Sequence, residues 1–448
     1  MTGTQHTLLQ KVKNCYHWLE AWYACRKAGF PGRQLYVIGV TGTDGKTSTT
    51  TMIYHLLAQA GKKVALINTI QACIGTERLE TGLHVTTQNP RELQPLLRHV
   101  LQEGYDTVVL EVTSHGLDQH RVWGINFSTA VVTNIKEDHL DYHGSYEAYL
   151  QAKAQLFFSL RSTKGKPTTT VLNQADASFS LLSQARTDNR YVYSLEAPTA
   201  LSENIQPLWA EDIHQSAEGI AFILCSTAEK TPTRIPLIGR YNVENALAAA
   251  GAVVAAGISQ ADIALYLPSL PQIKGRMQRI DAGQPFQVVV DFAHTPAALS
   301  RALPELKRLT NGKLIVLFGC AGERDSQRRR MGTVAAKHAD YIVITNEDNR
   351  TEPVDQIMSE IAAYAENGGA RAGDPAHPDH TTDTPLYFCI PDRREAIRFA
   401  LRLAQPDDLV DITGKGHEQS LNVDGRELDW DDAEETKTLI QELYPAAS

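Results

Sequence analysis

The sequence is poor in cysteine and pairs none of it. Its six cysteines (Cys15, Cys25, Cys73, Cys225, Cys320 and Cys389) are scattered, and no two have a Cys-x-x-Cys spacing. That argues against a disulfide framework or a thiolate metal module and suits a reducing, cytoplasmic setting. No apolar run reaches the ~18 residues that read as a membrane span. The N-terminus lacks the basic-then-apolar pattern of a secretion signal. Excess positive charge is missing too: 43 Lys and Arg stand against 52 Asp and Glu, a net charge of -9. A non-specific nucleic-acid binder needs a basic field, so that class is set aside, whereas a local phosphate site is not. No internal repeat is visible. A hydrophobic share of 42% with 21% charge is ordinary for globular cores. At ~150 residues per domain, the length gives two or three domains.

What is present begins at Val37. The run Val37-Ile38-Gly39-Val40-Thr41 leads into Gly42-Thr43-Asp44-Gly45-Lys46-Thr47-Ser48, and Thr49 to Gln59 has helical character. Strand, glycine loop, Lys-Thr and helix are the parts of a nucleotide-triphosphate cradle. Loop amides and a helix N-terminus face the phosphates, Lys46 supplies charge, and the Thr47 hydroxyl suits Mg²⁺. The long form of the motif wants a glycine where Val40 stands, so this is a shorter variant.

Upstream, Leu8, Val12, Cys15, Tyr16, Leu19, Trp22 and Tyr23 recur at helical spacing. They predict one wide apolar face packed on the following domain, the other option being a partner or membrane-surface helix. Gly29-Phe30-Pro31-Gly32 ends the helix. Downstream, Val64 to Ile67, Thr107 to Val112 and Thr129 to Thr133 read as strands and Tyr146 to Leu160 as a helix. Alternating short apolar strands and helices imply α/β architecture with a mainly parallel sheet, whose chemistry sits beyond the C-terminal strand ends. Thr47, Glu111 and Asn134 fall at such ends. Glu111 is either a Mg²⁺ ligand or an acid at a loop start, and His139, in the polar run Thr133 to Gly144, is a candidate second ligand. Lys153, among Ala152, Ala154 and Leu156, reads by itself as a solvated helix charge.

Residues 161–235 carry weaker signals of short strands and loops, and Gly239 to Gly257 is an alanine-rich helix. A second α/β unit follows, Rossmann-like, with strands at Val288 to Asp291, Leu314 to Phe318, Tyr341 to Thr345 and Leu409 to Ile412. Three polar strand ends, Asp291 to Pro296 and the glycine-containing Gly319 to Asp325 and Gly414 to Glu418, would form one face of a cleft opposite the phosphate loop. Glu366 to Pro385 is rich in Gly, Ala, Pro, Asp and His and reads as a surface loop. Its His377 and His380 have no apolar surroundings to organise a metal site. The expected division is an N-terminal amphipathic helix at 1–34, a central P-loop ATPase domain at 35–273 and a C-terminal α/β domain at 274–448.

Taken together, these motifs resemble the Mur ligase superfamily, in particular its UDP-N-acetylmuramoyl-tripeptide synthetase (MurE) type. The resemblance runs from about Val37 to Ile440. It rests on the Thr41 to Thr47 loop, Thr86-Thr87, Ser114-His115-Gly116-Leu117 with Arg121, Asp138 to Gly144, Ala152-Lys153-Ala154, Gly239-Arg240-Tyr241-Asn242, Gly275-Arg276-Met277, Asp291 to Pro296 and Gly414 to Glu418.

The resemblance implies a cytoplasmic, ATP- and Mg²⁺-dependent amide ligase of peptidoglycan precursor synthesis. It would add a diamino acid to UDP-N-acetylmuramoyl-L-alanyl-D-glutamate through an acyl phosphate. Lys46, His139 and Lys153 are then catalytic, and Thr47, Glu111, His139 and a carbamylated Lys153 serve magnesium. Gly42 through Ser48, Asn134, Asn242, Arg276 and Asp291 contact nucleotide. Thr86, Thr87, Thr113, Gln119 and Arg121 match acceptor contacts, Arg324, Gly414 and Glu418 match contacts to the incoming diamino acid, and His294 and Arg350 are further substrate-contact candidates.

Two departures stand out. Relatives of this type carry a full N-terminal domain that grips the UDP, and here a single helix precedes the loop strand. The family's Asp-Asn-Pro-Arg motif appears as Glu347-Asp348-Asn349-Arg350, without the proline and with the spacing off by one. These leave open a Mur-like ligase for another, non-UDP carboxylate acceptor, and leave the added amino acid undetermined. A nucleotide-binding regulator without catalysis is a third option, one that predicts loss of Lys46, Thr47, Glu111, His139 and Lys153, all of which are present.

Overall fold

The computed structural model describes residues 3–80, 86–198, 205–324 and 326–445, with backbone only at 3–12, Glu80 and Asp141. The Leu8, Val12 and Asp141 side chains, and Asp325, therefore lie outside the described residues. The chain divides into two compact units. The first comprises 1–215, 219–236 and 240–271, and the second 216–218, 237–239 and 272–448.

The first unit opens with α1 (Gly3–Ala28), β1 (Tyr36–Thr41) and α2 (Lys46–Gln59). Then come β2 (Val64–Ile67), β3 (Gln71–Ile74), β4 (Glu77–Glu80), α3 (Pro90–Gln102), β5 (Thr107–Glu111) and α4 (Ser114–Asp118). Next are β6 (Phe127–Val132), α5 (Leu140–His143), α6 (Tyr146–Phe158), β7 (Thr169–Asn173), α7 (Phe179–Leu182) and β8 (Asn189–Ser194). It closes with β9 (Gln206–Ser216), β10 (Gly219–Ser226), β11 (Lys230–Ile235), α8 (Tyr241–Ala255) and α9 (Gln260–Tyr266). The strands form one sheet in the order β11-β10-β9-β8-β7-β6-β1-β5-β2-β3-β4. From β2 to β9 the neighbours β2/β5, β5/β1, β1/β6, β6/β7, β7/β8 and β8/β9 are all parallel. β1, β5 and β6 are buried along their whole length, which is why they read as continuous apolar runs.

The N-terminal helix does not turn its apolar stripe inward. Tyr16 (60% exposed), Leu19 (53%) and Tyr23 (60%) face out, and Cys15 is exposed. The packed side is Ala21, Ala24 and Cys25, with Trp18 edge-on to Trp123 at 5.8 Å. Periodicity located the helix but assigned the wrong face, because small side chains fit a close approach that aromatic ones would obstruct.

The second unit contains β12 (Gln278–Arg279), β13 (Gln287–Asp291), α10 (Pro296–Leu309), β14 (Leu314–Phe318), α11 (Met331–His338), β15 (Tyr341–Ile344) and α12 (Val354–Asn367). Then follow β16 (Arg371–Ala372), β17 (Leu386–Cys389), α13 (Arg393–Leu403), β18 (Leu409–Thr413), β19 (Ser420–Val423), β20 (Arg426–Asp429) and α14 (Asp432–Leu443). Its main sheet runs β12-β13-β18-β14-β15-β17-β16, parallel from β13 to β16. The stretch 366–385 is therefore not purely a loop: Arg371 and Ala372 add an edge strand, paired with Leu386 and Tyr387. The remainder holds His377, exposed and 3.3 Å from Asp374.

One buried carboxyl group interrupts this second core. Asp411 is fully buried on β18, in register with Val289 and Val316, and neither carboxyl oxygen has a hydrogen-bond partner among the described residues. Burial, then the neighbouring Asp291, pushes its pKa well above the carboxyl range. The folded state thus keeps a proton that the unfolded chain has released, and stability falls as pH rises from the ordinary carboxyl range toward the raised value. Asp411→Leu should stabilise the protein by about 1–3 kcal/mol. In thermal unfolding the gain should be larger at neutral pH than near pH 4; no gain, or the opposite trend, contradicts the account.

Candidate functional site

The phosphate loop is set by the strand that feeds it. β1 lies between β5 and β6, with Val40 opposite Glu111 and Thr41 opposite Val132. Parallel alignment puts the loop, Glu111 and the Thr133-Asn134 segment at one end of the sheet. The loop is laced to that end. Thr43 N–H donates to Asn134 O at 2.7 Å, Asp44 N–H to Asn134 Oδ1 at 3.2 Å, and Thr133 Oγ1 to Asp44 O at 2.5 Å. Asn134 therefore braces the loop backbone. Two glycines are required. At Gly42 a Cβ would meet Thr133 Oγ1 at 1.9 Å, and Gly45 has φ +79° with Asn245 Oδ1 at 2.3 Å from a Cβ.

Lys46 opens α2 and donates to Thr43 O at 2.9 Å. Thr47 and Ser48 are buried on its first turn. The Thr47 hydroxyl lies 3.2 and 3.0 Å from the two Glu111 carboxylate oxygens, and Thr69 N–H donates to Glu111 Oε2 at 3.1 Å. A hydroxyl and a buried carboxylate beside phosphate-binding amides form a hard-oxygen donor set of the kind magnesium takes. His139 lies near the loop, its ring centre 6.3 Å from that of Tyr149. It is exposed at φ 52°, 3.4 Å from Asp138, edge-on to His115 at 4.8 Å. No group of three His, Cys, Asp or Glu among the described residues is gathered as a metal cluster.

Lys153 is 2% exposed on α6. Its Nζ donates to Gly42 O at 2.6 Å and lies 4.6 Å from the Tyr149 ring centre. Burial, then the nearby Lys46 charge, lowers its pKa well below the usual lysine value. Lys153 is thus a buried amine at the loop whose proton is held less tightly than usual, not the solvated helix charge its sequence suggests.

The acceptor candidates form a strip along the same unit. Thr87 is buried, and its hydroxyl lies 2.9 Å from Thr113 Oγ1 and accepts Thr113 N–H at 2.9 Å. Thr113 caps α4 by accepting Gly116 N–H at 3.0 Å. Arg121 donates from Nη2 and Nε to Gln119 Oε1 and from Nη1 to Thr87 O. Thr86 is half-buried at the start of the strip. Asn242, on α8, accepts from Asn245 Nδ2 at 3.0 Å.

In the second unit, adjacent β13, β18, β14 and β15 line up their C-terminal ends. Asp291 Oδ1 accepts Met277 N–H at 3.0 Å, and burial raises its pKa while Arg276 pulls it back. Arg276 lies over the Phe292 ring at 4.3 Å, and His294 Nδ1 bonds Phe292 O at 2.8 Å. Lys415, fully buried, reaches Asp348 at 2.8 Å and Glu418 at 2.6 Å. Gly414 packs against Glu347, whose pKa burial raises to about 8, with Arg393 and Lys415 opposing. Arg393 and Asp432, both fully buried, pair at 2.8 and 2.7 Å; Arg393 also donates to Asn346 O and Thr413 O, clamping two of these strand ends. Asp348 and Arg350 both have φ 55°, Arg350 is half-buried, and Arg324 is exposed on the loop after β14.

Sequence reasoning missed Tyr149, whose hydroxyl lies 3.1 Å from Thr43 Oγ1, and Asn245, which faces both Gly45 and Thr49. Asn245 is three residues beyond Asn242 on one helix, the only signal available. The Lys415 bridge to Asp348 joins two motifs 67 positions apart, which no local pattern reveals.

The Mur ligase middle domain matches residues 40–253, and the Mur ligase, glutamate ligase domain matches residues 275–416. A UDP-N-acetylmuramyl-tripeptide synthetase of Roseiflexus sp. (strain RS-1) is 36% identical over 93% of this chain and 80% of its own length. The chain belongs to the Mur ligase family. It is thus an ATP-dependent amide ligase, as Mur ligases are. A UDP-N-acetylmuramoyl-L-alanyl-D-glutamate–2,6-diaminopimelate ligase of Geobacillus thermodenitrificans (strain NG80-2) is also 36% identical, covering 92% of this chain and 80% of that protein. A solved structure described as a ligase of that same name superposes with a TM-score of 0.63 at 33% identity, covering 92% of this chain and 79% of that one. No helix among the described residues of this Mur ligase is long and apolar enough to cross a membrane.

Gly45→Ala should lower ATP affinity by about tenfold or more, roughly 1.4 kcal/mol. A side chain there both strains a positive φ and displaces Asn245. Nucleotide titration checks this, and unchanged affinity would show that the loop takes up its phosphate in another backbone conformation.

Proposed function

We propose that this Mur ligase joins a diamino acid, diaminopimelate or a close analogue, to the D-glutamyl residue of UDP-N-acetylmuramoyl-L-alanyl-D-glutamate, consuming ATP. The relatives named for that reaction support the substrate assignment. The observation that carries the chemistry is Lys153, a buried amine bonded to the loop carbonyl of Gly42, with its pKa lowered by burial and by Lys46.

Physically the first half-reaction is phosphoryl transfer, where positioning and charge neutralisation do most of the work. Lys46 and the loop amides from Gly42 to Ser48 hold the polyphosphate, while Thr47 and Glu111 fit Mg²⁺ as hard-oxygen ligands. Magnesium supplies charge neutralisation on the transferring phosphoryl group. In its unprotonated form the Lys153 Nζ attacks carbon dioxide and releases a proton, so an amine becomes a carbamate, a carboxylate-like group beside the loop. Thr87, Thr113, Gln119 and Arg121 hold the acceptor. Its carboxylate oxygen attacks the γ-phosphorus and ADP leaves. The amine of the incoming amino acid then attacks the acyl carbon, and phosphate departs with the carboxylate oxygen.

Asp291 and Arg276 serve the nucleotide, and Asn242 the adenine. Arg324, Arg350, His294, Gly414 and Glu418 serve the amino acid, for which Glu418 offers a carboxylate to an amine and the arginines offer charge to a carboxylate.

The wild-type protein should release phosphate only when ATP, this acceptor and a diamino acid are all present. Lys153→Ala should lose essentially all turnover and regain part of it with added short carboxylates. Turnover independent of acceptor, or an alanine variant as active as wild type, overturns the proposal.

A further inference from the structure

The N-terminal helix touches the acceptor strip. Asn14 Nδ2 donates to Asp118 Oδ2 at 3.2 Å, across 104 positions of sequence. The same oxygen accepts the Tyr142 hydroxyl at 2.7 Å, and that hydroxyl accepts Gln119 Nε2 at 3.2 Å. The other end of the Gln119 amide accepts two N–H groups of Arg121, at 3.0 and 2.6 Å. The donations converge on Asp118 Oδ2: Asn14 donates to it from α1, and Arg121, Gln119 and Tyr142 donate in turn towards it from the other side. The amide of Asn14 orients Asp118, Asp118 fixes the Tyr142 proton, and Tyr142 fixes which end of Gln119 meets the guanidinium.

A second clasp closes just beyond. Trp123 is edge-on to Trp18 at 5.8 Å and to Phe30 at 6.4 Å, and Cys25 Sγ donates to Trp123 O at 3.1 Å. Glu20 pairs with Arg91 at 2.8 Å, tying the same helix to α3. Segment 118–125 is thus gripped from both ends by α1. Arginine side chains carry large rotamer entropy, so a guanidinium fixed before binding costs less to order on binding.

We infer that α1 is part of the acceptor-binding apparatus. Asn14 is a positioning residue that, through Asp118, Tyr142 and Gln119, holds Arg121 in its acceptor-binding pose. This rests on the proposed role of Gln119 and Arg121 in acceptor binding. The exposed stripe of Tyr16, Leu19 and Tyr23 takes no part.

The test uses the full-length enzyme, UDP-N-acetylmuramoyl-L-alanyl-D-glutamate as probe, and separate KM and kcat values for acceptor and ATP. Asn14→Asp sets two carboxylates against each other and should raise the acceptor KM by about three- to tenfold, the scale of one charge-assisted hydrogen bond partly transmitted. The ATP KM should stay within about twofold. Asn14→Ala should fall between wild type and Asn14→Asp. Tyr16→Ser, on the outward face, should match wild type.

If Arg121→Ala raises the acceptor KM and neither Asn14 variant does, the inference fails while the site reading stands. If Arg121→Ala leaves it unchanged, the reading fails and the inference with it. An equal loss toward ATP and acceptor also overturns the positioning role. Thermal unfolding of each variant separates misfolding from these outcomes.

Discussion

Parallel pairing of β1 with β5 and β6 is the constraint on which the site depends. A parallel sheet aligns strand ends, so the chain delivers Thr47, Glu111 and Asn134 to one place although they are far apart in sequence. Burial then raises the stakes. Glu111 is 1% exposed, and its oxygens are answered by the Thr47 hydroxyl and the Thr69 amide. Leaving such a carboxylate unanswered would cost several kcal/mol. Lys153 faces the same low-dielectric surroundings, which favour its uncharged form. One environment thus pairs an acid and loosens the proton of a base, as the proposed magnesium-assisted transfer with a carbamylated lysine requires.

The second unit meets a similar problem with a different arrangement. Its strand ends carry buried ions, and Arg393 with Asp432 supplies a forked pair that also binds the carbonyls of Asn346 and Thr413. Fully buried pairs of this kind add little net stability but lose much when broken. Here the pair holds the β15 and β18 ends in register, so that Asp348, Lys415 and Glu418 form one bridge. Asp411 has no such answer and stands as an isolated cost within that core.

Much of this was legible before any coordinates. Strand-end positions follow from short apolar runs alternating with helices, which is why Glu111, Asn134, Asp291 and Gly414 were placed at C-terminal ends from sequence. The phosphate loop was legible because its glycines and Lys-Thr pair have few other uses. Lys153 was not, since an Ala-Lys-Ala helix looks solvated until burial is known, and only family resemblance marked it. The α1 face was misassigned because hydrophobic periodicity weighs Tyr16 and Leu19 above Ala21 and Cys25, whereas close packing prefers the smaller residues. Asn14, Tyr149 and Asn245 are ordinary residue types whose roles exist only through distant partners.

The central claim is that the acceptor carboxylate, not water, takes the phosphoryl group. Acceptor labelled with heavy oxygen in its reacting carboxylate gives the most direct measurement, followed by mass analysis of the released phosphate. Transfer through an acyl phosphate requires one labelled oxygen to leave with phosphate for each amide formed. Phosphate carrying no label, with both heavy oxygens absent from it while amide accumulates, would contradict the account.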